Sequence, residues 1–162
     1  MQHSAYRLGV GLMIVNSQKK IFVGKRNNLT SSLDDFLCYK AWQMPQGGVD
    51  NGEQFEAAVF REMQEEIGTN QGHIIAHTTS LLHYDFPLDI QKNAFNGACK
   101  GQRQRWFLLE FIGSEKDIIL NQGSCEFIAW KWVMLNELID LAVDFKKELY
   151  RKVVTEFAWY FK

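Results

Sequence analysis

The chain has 162 residues, 46% hydrophobic and 23% charged, with a net charge of −1. That balance supports a single domain over residues 1–162 with its own core, and it excludes a disordered chain or a global basic field for nucleic acid. DNA sequence recognition is not expected, and any polyanionic ligand must be met by a local patch or by metal ions.

In chain order, Val10, Leu12 and Ile14 alternate with other side chains and predict a strand from about 8 to 15. Asn16-Ser17-Gln18 reads as a turn and Ile21-Phe22-Val23 as the returning strand. Residues 27–41 are polar, then mixed, and read as a long loop whose Leu33, Phe36, Leu37 and Tyr39 could fold down as a lid or meet a partner. Gln46-Gly47-Gly48 and Asn51-Gly52 bracket a second loop. Residues 54–67 form the best helix, free of Gly and Pro and stopped by Gly68. Strands are expected at 74–83, 105–112 and 127–133, a short helix at 136–141 and a long one at 145–161. In the last, Phe145, Leu149, Val153, Phe157 and Phe161 make an apolar stripe at i, i+4 spacing. Strands on either side of a central helix, without a regular βαβ repeat, predict an α/β fold with a mixed sheet between helical layers.

Cys38, Cys99 and Cys125 are odd in number and lack CxxC spacing, which fits a reducing compartment. No apolar run is long enough to span a bilayer and no leader is evident, so a cytoplasmic protein without a membrane partner is the expectation.

The central helix carries the chemistry. Phe55, Val59, Met63 and Ile67 recur every four residues and mark its buried stripe. Glu62, Glu65 and Glu66 share an arc roughly 100° wide beside that stripe. Three carboxylates on one patch make a hard-oxygen site for Mg²⁺ or Mn²⁺. A solvated acidic face is the alternative, since exposed like-charge pairs cost only about 0.2–0.5 kcal/mol each. The preceding glycine loop favours the site. Gly47, Gly48 and Gly52 allow tight turning and close approach to a ligand, and a loop entering a helix offers free N–H groups to phosphate. Arg61 can pair with Glu65 or with Glu53 and so fix carboxylate orientation. Divalent ions would bridge the carboxylates and a polyphosphate and activate water for attack on a phosphoanhydride. His3, His73, His77 and His83 are scattered and lack ligand spacing.

Gly47, Glu53, Arg61-Glu62, an apolar Met63, Glu65-Glu66 and Gly68 stand at fixed spacing, and together they resemble the signature box of the Nudix hydrolases. Those enzymes split a nucleoside diphosphate linked to another moiety. The resemblance runs from Tyr6 to the last helix and implies a Nudix-type α/β/α sandwich. Thr69 departs from the usual bulky aliphatic residue after the box, and the 27–41 loop looks longer than its family counterpart.

Outside the box, several segments look like the RNA 5′-pyrophosphohydrolase and diadenosine polyphosphate hydrolase branch. They are Tyr6 to Gly11, Trp42 to Gly48, Gly101 to Phe107, Glu126-Phe127 with Trp130-Lys131-Trp132, and Phe145-Lys146-Lys147. The resemblance implies a metal set of Glu62, Glu65, Glu66 and Glu126 with Gly47, Glu126 being able to serve as base instead. It implies RNA-end contacts by Arg7, Phe145 and Lys146, with Lys25, Arg26, Tyr84, Arg103 and Arg105 as further phosphate or base contacts beside Gly47 and Gly48. Phe145 also fits the core, and Arg103 with Arg105 also fits a solvent-facing row. The implied substrate is 5′-triphosphorylated RNA. The alternatives are diadenosine tetra- or pentaphosphate and, remotely, a non-catalytic module that binds a nucleotide or RNA end.

Overall fold

The computed structural model describes residues 5–26, 42–92, 97–120 and 126–162. The 27–41 loop, Cys38 and Cys125 lie outside the described residues. β1 (Ala5–Val15) and β2 (Ile21–Arg26) are joined by the expected turn. Asn16 Oδ1 accepts the N–H groups of Gln18 and Lys20 there, and Lys19 takes a φ of 61°. β1 and β2 pair at Val15 and Ile21 and then splay apart.

Residues 42–48 wedge into the fork, where β3 (Trp42–Gln43) pairs with β2 and β4 (Gln46–Gly48) pairs with β1. Between them the Leu12 N–H donates to the Pro45 carbonyl at 2.9 Å. The sequence reads this segment as loop. It forms short strands because the opened inner edges of β1 and β2 present backbone groups that need partners.

α1 (Phe55–Ile67) follows. It ends at Gly68, whose left-handed φ of 79° lets its N–H reach the Gln64 carbonyl. The strand expected at 74–83 is two strands, β5 (Gly72–His77) and β6 (Leu82–Asp85), both antiparallel to β7 (Cys99–Phe111). From His77 to Leu82 five residue steps oppose three on β7, from Phe107 to Gln104, so the chain bulges out. Thr78 anchors the bulge, since its N–H donates to the Trp106 carbonyl and its hydroxyl accepts the Trp106 N–H. α2 (Leu88–Gln91), which no periodicity signals, precedes β7. β7 starts earlier than the expected 105 and runs parallel to the whole of β1. β8 (Phe127–Val133) closes the sheet against β2. The chain then forms α3 (Leu138–Leu141) after a 3₁₀ turn, and α4 (Lys147–Phe157) between 3₁₀ turns at Asp144–Lys146 and Ala158–Phe161.

The result is the expected sandwich around a mixed eight-stranded sheet. On one face α1 buries Ala58, Val59, Met63 and Ile67 against Val10, Leu12, Ile14, Phe107 and Leu109. On the other, α4 buries Leu149, Tyr150, Val153 and Phe157 against Met13, Val15, Trp106 and Leu108. Each buried Val, Leu, Ile, Met or Phe among them contributes about 1.5–3 kcal/mol of burial. Phe145 and Phe161, the ends of the predicted stripe, are only partly buried because they fall in the 3₁₀ turns. No helix among the described residues is long and apolar enough to cross a membrane.

Candidate active site

The wedge brings its glycines to the flank of α1. A Cβ on Gly47 would collide with the Glu62 carboxyl, and one on Gly48 would meet the Arg7 guanidinium. Both positions therefore need glycine to let a charged side chain lie flat on the backbone. Glu62 and Glu66, one helical turn apart, point inward and are 8% and 2% exposed. Glu65 points outward, with a side chain 46% exposed. The expected common patch of three carboxylates is thus two buried groups and one outer group. Among the described residues no three acidic, His or Cys side chains stand together as a ready-made metal cage.

Arg61 organises this end of the helix. Its Nε and Nη2 donate to Glu53 Oε2 and Oε1, each at 2.8 Å, and Nη2 also donates to the Gly48 carbonyl at 2.8 Å. Its Nη1 reaches Glu62 Oε1 at 2.8 Å and Glu65 Oε2 at 3.4 Å. Both pairings that the sequence leaves open are therefore made at once. The Arg61 hydrogen bonds, helped by the Asp50 N–H and the guanidinium charge, pull the Glu53 carboxyl down to about 2. Hydrogen bonding to Glu53 raises Arg61 further, so this pair stays charged throughout the pH range of any assay.

The inner carboxylates behave in the opposite way. Burial pushes Glu62 up, and Arg61 only partly offsets it. Glu66 is raised well above the usual carboxylate range, first by burial and then by the neighbouring Glu126 and Glu62. The Gln46 backbone amide is the group beside it that favours its charge. Both Glu66 oxygens are buried without a well-formed hydrogen bond among the described residues. A buried carboxylate with no well-formed hydrogen bond is costly. Set between two further carboxylates, it is the donor set that a hard divalent cation satisfies. The chemistry of these groups fits such a cation, which Glu66 would hold with Glu126, exposed just before β8, and Glu62 as its neighbours.

The other predicted site residues divide between the two faces of the sheet. Arg103 and Arg105 project from β7 on the α1 face, in register with Leu8 and Val10. Arg103 is exposed. The Arg105 guanidinium lies over the Phe55 ring at 5.0 Å. Tyr84, Phe145 and Lys146 gather on the opposite face. Tyr84 is buried, accepts Gln46 Nε2 at 3.2 Å and lies 6.0 Å from the half-buried Phe145 ring.

Lys146, expected to meet phosphate, is 3% exposed and donates to Gln43 Oε1 at 3.2 Å. The 3₁₀ turn at Asp144–Lys146 directs it inward. Lys25 and Arg26 end β2, opposite Trp42 and Phe127. Sequence reasoning gives no individual role to Gln43, Gln46 or Tyr150, although the first two lie in the Trp42-to-Gly48 segment, because those roles come from contacts more than 35 residues away.

A mixed sheet between helices, with buried glutamates facing a glycine wedge, defines a phosphoanhydride hydrolase of the Nudix class. Residues 5–153 match the NUDIX domain, and the chain belongs to that family. It is 46% identical over 152 residues to the RNA pyrophosphohydrolase of Rickettsia canadensis, covering 94% of this chain and 89% of that protein. The Rickettsia prowazekii RNA pyrophosphohydrolase is 45% identical over the same shares of each chain. Among solved structures, the E. coli dihydroneopterin triphosphate pyrophosphohydrolase superposes with a TM-score of 0.69 at 17% identity, covering 93% of this chain and 98% of that one. A C. elegans Ap4A hydrolase superposes with a TM-score of 0.61 at 24% identity over the same shares. At these identities the two structures speak for the fold.

Proposed function

We propose that this protein hydrolyses the 5′-triphosphate end of RNA, releasing pyrophosphate or successive phosphates and leaving a 5′-monophosphate. The observation that carries this reading is the 45–46% identity, over nearly the whole chain, to proteins named RNA pyrophosphohydrolase. With that substrate, a cytoplasmic location is part of the same proposal.

Glu66, Glu62 and Glu126 would hold Mg²⁺ or Mn²⁺, with Glu65 closing the site from outside. The cation would supply charge neutralisation to the polyphosphate and acidity to a water molecule. The chain's own part is orientation. Arg61 keeps one Glu62 oxygen in place, and Gly47 lets that carboxyl lie against the wedge. The water oxygen attacks phosphorus, the anhydride P–O bond breaks with its electron pair leaving on pyrophosphate, and the water's proton passes to a site carboxylate. On this reading Arg7, whose guanidinium lies against Gly48, would meet the phosphate chain, and half-buried Phe145 would offer its ring to a base.

The test is a side-by-side assay with Mg²⁺ of 5′-triphosphorylated RNA, diadenosine tetraphosphate and nucleoside triphosphates. The expected result is conversion of the RNA to a 5′-monophosphate at a kcat/KM at least about tenfold above the others, a difference of about 1.4 kcal/mol. Efficient cleavage of diadenosine tetraphosphate with the RNA untouched would replace this reading by the dinucleotide one.

A further inference from the structure

Tyr150 has no exposed surface, yet its hydroxyl is spent at a distance on the site-bearing wedge: it accepts the Met44 N–H at 2.9 Å. Met44 is also wholly buried, and Pro45 after it has no N–H to give. The Met44 N–H to Tyr150 is thus the side-chain anchor of the crossing from β3 to β4, beside the backbone bond from Leu12 to Pro45. Two residues on is Gln46, whose amide favours the charge of Glu66. Three residues on is Gly47, against which Glu62 lies. Tyr150 is itself braced, because its ring meets Trp106 edge-on at 5.8 Å. The Trp106 indole fills the space above Gly11 and donates to Gln104 Oε1 at 3.1 Å. A rigid chain of contacts therefore runs from α4, through the sheet, to the backbone beside the two buried carboxylates.

We propose that Tyr150 is a positioning residue for cation capture: through the Met44 N–H it holds the wedge at the height where Glu62 and Glu66 can share one cation. The proposal rests on the metal-dependent reading above. It gives the C-terminal helix a part in the site beyond packing. Losing the hydroxyl leaves a buried N–H unpartnered, and the wedge must shift to satisfy it.

The test is Tyr150→Phe, which keeps the ring. Val153→Ala, on the same helix and wholly buried, serves as a control that opens a cavity while keeping the hydroxyl that accepts the Met44 N–H. Free Mn²⁺ is measured by electron paramagnetic resonance during titration, and the Mg²⁺ activation curve is measured on triphosphorylated RNA. The expected result for Tyr150→Phe is a Mn²⁺ dissociation constant and a Mg²⁺ activation midpoint both raised about three- to tenfold. Its kcat at saturating Mg²⁺ falls and its KM for RNA changes less than twofold. Val153→Ala should lower the melting temperature at least as much and leave both metal midpoints in place.

Midpoints for Tyr150→Phe within twofold of the parent, or matching shifts in Val153→Ala, would overturn the proposal and make Tyr150 a packing residue. So would a parent protein that binds no Mn²⁺, which would remove the metal reading as well. A parent inactive on RNA, with the Mn²⁺ shift intact, would overturn only the choice of substrate.

Discussion

Glu66→Gln is expected to cut kcat by at least about 10²-fold, or about 2.7 kcal/mol of transition-state stabilisation, and at the same time to raise the melting temperature of the metal-free protein. Both effects have one cause. Glu66 is 2% exposed and lacks a well-formed hydrogen bond among the described residues, and burial with the neighbouring Glu126 and Glu62 holds its carboxyl well above its ordinary value of 4.5. An acid raised in this way holds its proton more tightly folded than unfolded. Its contribution to stability therefore falls as pH rises from about 4.5, where the unfolded chain ionises, up through the native value.

The metal-free protein should accordingly lose stability between mildly acidic and neutral pH, and the neutral amide should remove much of that slope. Added Mg²⁺ should raise the melting temperature of the parent at neutral pH, less so near pH 5, and barely in the variant. A cation at a hundred times its dissociation constant stabilises by about 2.7 kcal/mol. Thermal melts at several pH values, with and without Mg²⁺, check the stability half, and kcat at saturating Mg²⁺ checks the other. An unchanged rate would remove Glu66 from the site.

Arg61→Lys is the second large effect. Five donors of one guanidinium serve Glu53, Glu62, Glu65 and the Gly48 carbonyl. A lysine ammonium keeps the charge but cannot reproduce the fork. The Gly48 carbonyl and the Glu62 carboxyl would be released together, loosening the wedge and an inner ligand in one step. Activity should fall about 10- to 100-fold, the range for losing a group that orients metal ligands. The melting temperature should fall by roughly 3–8 °C. Because Arg61 holds Glu53 at about 2, that pairing is present above the unfolded value of 4.5 and is lost only as pH falls through about 2. The penalty of Arg61→Lys should hence be constant through neutral pH, below the range where the substituted lysine deprotonates. An Arg61→Lys protein with parental activity would mean that charge alone suffices and that the fork does not orient Glu62.

The elements legible in the sequence are those that carry their own periodicity. α1, β1, β2 and β8 follow from apolar spacing and from the Gly68 stop, and the α4 stripe from the spacing of Leu149, Val153 and Phe157. Also readable is the Arg61–Glu53 pairing, because it joins residues of one helix and its entry. What spacing does not show is anything set by a tertiary partner. The wedge at 42–48 forms strands because β1 and β2 diverge, and the strand expected at 74–83 breaks because Thr78 bonds to Trp106. Spacing puts Glu62, Glu65 and Glu66 on one arc. The depth of burial then separates them, since an arc of 100° spans the line between core and solvent. Lys146 illustrates the same limit, as nothing in the spacing around it signals the Gln43 side chain that arrives from another strand to meet it.

The most direct measurement is anomalous diffraction from crystals grown with Mn²⁺. The prediction is a peak about 2.1 Å from an oxygen of Glu66 and from one of Glu62, beside the Gly47 backbone. Well-ordered Glu62 and Glu66 with no peak between them, or a peak held only by surface carboxylates elsewhere, would contradict the view that this pocket exists to hold a divalent cation.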